Sequence, residues 1–136
     1  MRNIIYGLVP DENFRAKLKF LYTFNKFFNG IFIMLTKFEI ISFLKVIKPE
    51  FEKEGLIILG LFGSYAREKP NENSDIDILV ETTKHFLKLH TGLGCFLKLE
   101  NLRYLIADHF HKKVDIADKM GLGEISKNIL EEIIYV

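Results

Sequence analysis

One stretch near the middle of the chain limits its fold more than any other: LGLFGSYAREKPNENSDIDILVE, Leu59 to Glu81. Ile57 to Phe62 is an apolar run of strand type, and it ends in Gly63-Ser64. A small residue at that point lets backbone amides approach an anion. After a polar loop, Asp75-Ile76-Asp77 opens a second apolar run. Strand side chains alternate, so Asp75 and Asp77 project from one face while Ile76, Ile78 and Val80 point the other way, into a core. Like charges on one strand face repel unless a cation lies between them. Two parallel carboxylates beside a phosphate-accepting turn therefore suit a hard cation carrying a nucleoside triphosphate. The plainer alternative is a β-hairpin whose acids are merely solvated.

The flanking sequence supplies a frame for this pair of strands. Phe38, Ile41, Leu44, Ile47 and Phe51 recur at helical spacing, which predicts a helix over 36–54 that Pro49 kinks or divides. Gly55 ends it and leads into a strand over 56–62. The second strand is expected over 76–81. Residues 82–94 are the least readable, with Phe86, Leu87 and Leu89 suggesting a short helix. A helix follows over 95–110, with Phe96, Leu99, Leu102, Leu105 or Ile106, and His109 or Phe110 inward. A third short strand is expected over 113–118, then a helix over 125–134 with a strand-like tail at Tyr135 and Val136. Strands and helices mix without a repeated βαβ unit, so an α+β fold results: a small mixed sheet with helices mainly on one face.

Gly63, Ser64, Ala66, Arg67, Ser74, Asp75, Ile76 and Asp77 resemble the Gly-Ser-x-Ala-Arg-Gly and Ser-Asp-hydrophobic-Asp pattern of minimal nucleotidyltransferases. These are the antitoxin partners of HEPN-domain toxins, within the superfamily that includes DNA polymerase β. Glu68 departs from the pattern, which has Gly there, and Glu takes a positive φ reluctantly. The resemblance runs from about Met34 to the end of the chain, through Lys113-Val114-Asp115-Ile116 and Ile129 to Val136. It implies a polymerase β palm-like fold for residues 34–136. It also implies transfer of AMP from ATP to a tyrosine of a HEPN ribonuclease, which silences the toxin. Two other functions stay open: an antitoxin that acts by occlusion alone, and a small-molecule nucleotidyltransferase of the antibiotic-modifying kind. The intact Gly63-Ser64 and Asp pair speaks against the former. The lack of room for a substrate domain speaks against the latter.

Nucleotidyl transfer requires the phosphate charge to be neutralised and the acceptor oxygen placed in line with the leaving pyrophosphate, and Mg²⁺ held by carboxylates does both. Asp75 and Asp77 are the expected metal ligands, with Gly63 and Ser64 at the phosphates. Arg67 either reaches a phosphate oxygen or forms a surface ion pair with Glu68 or Glu72. A third carboxylate normally completes such a site. Asp115, in the apolar strand Val114-Asp115-Ile116, is the candidate ahead of Asp118 and Asp108, because a carboxylate buried there without a partner would be costly. His109-x-His111 has no matching third ligand and reads as the cationic end of a helix.

Composition excludes several alternatives. With 19 basic and 18 acidic residues the net charge is +1, which argues against direct nucleic-acid binding over a broad basic surface. A single cysteine, Cys95, allows no internal disulfide and suits a reducing cytoplasm. No run is long enough to span a membrane, and no secretory leader is evident. Residues 1–33 carry six of the 13 phenylalanines. Asp11 can cap a helix there that places Phe14, Leu18, Leu21 and Phe28 on one face, with Arg15, Lys17, Lys19 and Lys26 on a basic side. That extension either packs on the domain or docks a partner.

Overall fold

The computed structural model describes residues 34–136 continuously and, before them, only Asn13, Ala16, Lys17 and Phe20. The amphipathic face expected over 11–28 lies outside the described residues. Thr36–Val136 forms one compact unit.

Its elements run α1 (Lys37–Glu52), β1 (Leu56–Phe62), α2 (Gly63–Ala66), β2 (Ile76–Thr82), α3 (Lys84–Leu89), α4 (Leu93–Phe110), β3 (Val114–Asp118), α5 (Ser126–Glu132) and β4 (Ile134–Tyr135). Two single 3₁₀ turns, Lys119–Gly121 and Gly123–Ile125, join β3 to α5. The sheet order is β3-β2-β1-β4. β1 pairs antiparallel with both β2 and β4, and β2 pairs parallel with β3. This is the mixed sheet that the sequence predicts.

Local chemistry explains the boundaries. Thr36 caps α1 with a full capping box: its hydroxyl accepts from Glu39 N–H, and the Glu39 carboxylate accepts from Thr36 N–H at 2.8 Å. Pro49 does not divide α1. It stands three residues from the end, where the missing amide removes one bond from the last turn, and the helix runs on to Glu52. Gly55 takes φ 83°, and its carbonyl accepts from the Thr83 hydroxyl at 2.7 Å. That threonine also caps α3, the short helix expected after β2.

The inner face of α1 is turned from the one its spacing suggests. Ile40, Phe43, Leu44 and Ile47 are buried, while Phe38 is 68% exposed. One residue is a rotation of about 100°, so a five-residue pattern that fits one stripe nearly fits the next. α4 begins two residues before the expected Cys95, through Gly94, and its first turns stand clear of the core: Phe96 is 57% exposed. Leu102, Leu105, Ile106 and Phe110 are buried. α1 and α4 meet where Phe43 stacks on His109 at 4.0 Å and meets Phe110 edge-on at 5.3 Å. Ile58, Leu61, Ile76, Ile78, Val80 and Val114 supply the sheet's share of the core.

Candidate active site

Two register pairs bring distant residues together. In the β1/β2 pair Phe62 lies opposite Asp77, and in the β2/β3 pair Asp77 lies opposite Asp115. Asp75 precedes β2 by one residue, and the Ile76 N–H donates to the Lys113 carbonyl at 2.9 Å. Asp77 alternates with the buried Ile76 and Ile78, so its carboxylate leaves the core side of the sheet. The Asp-x-Asp pair thus meets the end of β1 on one flank and Asp115 on the other.

Gly63 starts α2 with φ 74°. A Cβ there would stand 2.9 Å from Asp77 Cγ and closer still to its Oδ2. Only glycine lets the turn lie flush against that carboxylate. Ser64 follows in α2, half-buried, with its carbonyl accepting from Lys69 N–H at 3.0 Å. Glu68 adopts φ 58°, the left-handed conformation that a glycine takes without strain. Its carboxylate pairs with the Lys37 ammonium. The loop into β2 is organised by Ser74, whose hydroxyl accepts from Asn71 N–H at 2.8 Å.

Arg67 pairs with neither Glu68 nor Glu72. Its Nη1 donates to Glu132 Oε2 at 2.9 Å, while Glu132 Oε1 accepts from Gly63 N–H at 3.1 Å. Lys113 is a second residue the sequence reading leaves without a role. Its ammonium stands 3.4 Å from Asp75 Oδ2 and 3.9 Å from Asp115 Oδ2, a cation between two of the acids. Glu132 lies 65 residues from Arg67, and only the fold joins them. Lys113 had a weak signal, two residues before Asp115 on the same strand face.

The electrostatics follow from this crowding. Burial, then the charges of Asp115 and Asp75, push the Asp77 carboxyl up to about 6, with Arg67 opposing and Glu132 adding to the rise. Among the described residues no group of three or more His, Cys, Asp or Glu side chains is placed to hold a metal ion by itself, Asp75, Asp77 and Asp115 included. Magnesium more often takes one or two carboxylates together with substrate phosphates, which the Asp75 and Asp77 carboxylates suit, while the Lys113 ammonium stands between Asp75 and Asp115. Neither rival acid lies opposite Asp77 in the sheet register. Asp118 accepts from the Thr82 hydroxyl at 2.5 Å and from Met120 N–H at 3.1 Å, which ties β3 to β2. Asp108 lies on α4, within the helix layer. His109 is committed to the Phe43 stack, and burial holds it down at about 4. Asp115, half-exposed, also lines an open cleft of about 440 Å³ with Phe96, Leu99 and Arg103 of α4, and Asp118 lines the same cleft.

Comparison with known proteins identifies the family. Residues 39–136 match the model of the nucleotidyltransferase domain family. The chain belongs to that family. This nucleotidyltransferase is 35% identical to the protein adenylyltransferase MntA of Thermococcus cleftensis, over 76% of its own length and 98% of the relative's. It is 38% identical to a candidate protein adenylyltransferase of Methanocaldococcus jannaschii, over 68% of its own length and 85% of that protein. A solved structure of a candidate minimal nucleotidyltransferase superposes with a TM-score of 0.59 at 22% identity, covering 75% of this chain and 97% of the other. That likeness bears on the fold, the mixed sheet with helices seen here. Among the described residues no helix is long and apolar enough to cross a membrane.

Proposed function

We propose that this nucleotidyltransferase is a protein adenylyltransferase that moves AMP from ATP to a tyrosine of a HEPN ribonuclease toxin, and so acts as its antitoxin. The observation that carries the reading is the contact of the Gly63 turn with Asp77, itself in register with Asp115. The turn that would accept phosphate and the Asp77 carboxylate then lie side by side. Relatives named as protein adenylyltransferases support an adenylyl group and a protein acceptor.

Asp75, Asp77 and Asp115 would hold Mg²⁺, which when bound supplies charge neutralisation for the triphosphate. Ser64 and the turn amides beyond Gly63, whose own N–H is held by Glu132, would receive phosphate oxygens, and Arg67 adds a fixed positive charge. The acceptor tyrosine oxygen forms a bond to the α-phosphorus as the bond to pyrophosphate breaks. Asp115, on the open edge strand, serves either as the third ligand to the metal or as the base that takes the hydroxyl proton. The cleft beside Asp115 leaves that edge accessible to a macromolecule.

Incubation with α-labelled ATP, Mg²⁺ and the cognate toxin tests this. Label is expected on a toxin tyrosine and lost with Asp77→Asn. Label that survives the substitution overturns the site assignment. An unlabelled but silenced toxin points to occlusion instead.

A further inference from the structure

Glu132 reaches the Gly63 turn from the far end of the chain. It is the last residue of α5, and β4 begins two residues later. β4 is fixed to β1 at Gly60 and Leu61. Gly60 makes this possible, since a Cβ there would stand 2.9 Å from the Ile134 carbonyl carbon. Val136 N–H adds a bond to the Leu59 carbonyl at 3.0 Å. The backbone that carries Glu132 is therefore locked onto the same strand that ends in Gly63.

The carboxylate serves two donors at once, the Gly63 amide through Oε1 and Arg67 Nη1 through Oε2. Both bonds are charge-assisted. Asp77 bears on the same glycine. A half-exposed arginine without such an anchor samples many rotamers and loses that freedom when it meets a ligand. The guanidinium has five N–H donors, so one bond to Glu132 leaves it able to bind an anion as well.

On the nucleotidyltransferase reading above, we propose that Glu132 is a positioning residue for the triphosphate, holding Arg67 against the Gly63 turn so that guanidinium and turn meet the phosphates as one preformed unit. Glu132 touches neither the reacting atoms nor the acceptor, and it acts through Arg67.

The test is binding of a non-transferable ATP analogue with Mg²⁺ to the full chain, for wild type, Glu132→Ala, Arg67→Ala and the double variant. Glu132→Ala is expected to weaken binding about tenfold, as loss of a residue supporting a ligand-contacting group commonly does. The double variant should bind no more weakly than Arg67→Ala alone, because the glutamate's effect passes through the arginine. Losses that multiply would assign Glu132 a separate role and overturn the proposal. So would tighter binding by Glu132→Ala, the result expected if the carboxylate occupied a phosphate position. If Glu132→Ala fails to fold, Glu132→Gln, which keeps one acceptor oxygen, takes its place and should weaken binding by a smaller factor that again vanishes without Arg67. Wild type that binds no analogue would remove the nucleotide-site reading itself, a result distinct from normal wild-type binding that Glu132 variants leave unchanged.

Discussion

Gly63 and Asp77 occupy one another's space: the position of a Cβ on Gly63 is 2.9 Å from Asp77 Cγ, and the backbone there has φ 74°. Gly63→Ala must both strain a left-handed backbone and displace the carboxylate. The backbone term costs about 1–2 kcal/mol. The carboxylate can rotate aside, so the protein should still fold. Because a misplacement of about 1 Å can cost about 100-fold in rate, transfer should fall at least that far. Urea denaturation and a labelled-ATP assay on the same preparation check the two parts. Unchanged transfer would show that Asp77 need not rest where it does.

Asp77 should make the protein more stable when it is uncharged. Its folded carboxyl is raised from 3.8 to about 6 by burial and by Asp115 and Asp75. The folded state therefore holds the proton more tightly than the unfolded chain. Stability contributed through this group rises as pH falls from above 6 toward 3.8, and above 6 the ionised acid is a full burden. Asp77→Asn removes the burden. It should stabilise the metal-free protein by about 1–2 kcal/mol at pH 8, allowing for solvent screening of a half-exposed group, and by much less near pH 4. The same variant should lose transfer. Urea midpoints of both proteins at the two pH values decide it, and equal gains at both would remove the electrostatic cause.

His109 gives a pH dependence of opposite sign. Burial against Phe43, with the nearby His111 charge, lowers it from 6.5 to about 4, and Asp108 only partly offsets this. The neutral ring is the form the fold accepts. The group's contribution is complete above 6.5 and is lost as pH falls from 6.5 toward 4. His109→Phe keeps an aromatic stack on Phe43 and removes the titration. The variant should lose less stability than wild type between pH 7 and pH 4.5, by about 1–2 kcal/mol after allowance for partial exposure. Thermal melts across that range would show parallel curves if the idea is wrong.

The legible parts of the chain are those where local chemistry and tertiary position agree. β1 has the bounds expected from its sequence because a run of β-type residues lies between Gly55, which closes α1, and Gly63, which opens the turn. The adjacency of Asp75 and Asp77 needs nothing beyond strand alternation. The inward face of α1 is not legible to one residue, since Phe38 and Ile41 fit a stripe nearly as well as Ile40 and Phe43. α4 starts early because Gly94, which reads as loop, is carried inside a helix whose later turns are buried. Glu132 is hidden for a different reason: its two bonds depend on β4 pairing with β1, a contact no local pattern encodes.

Glu68 sets backbone preference against an ion pair. It holds φ 58°, where a side chain clashes with its own backbone, and its carboxylate pairs with Lys37 at the start of α1. Glu68 is largely exposed, and exposed pairs contribute little because water and salt screen them. Glycine meets no steric penalty at that φ, though it gives the unfolded chain more freedom. The steric relief should outweigh both losses, so Glu68→Gly is expected to raise the melting temperature by about 2–5 °C. The gain should grow at high salt, where the wild-type pair is weaker still. A lower melting temperature at low salt that recovers at high salt would mean that the Lys37 pair, and not the backbone, decides the balance at this turn.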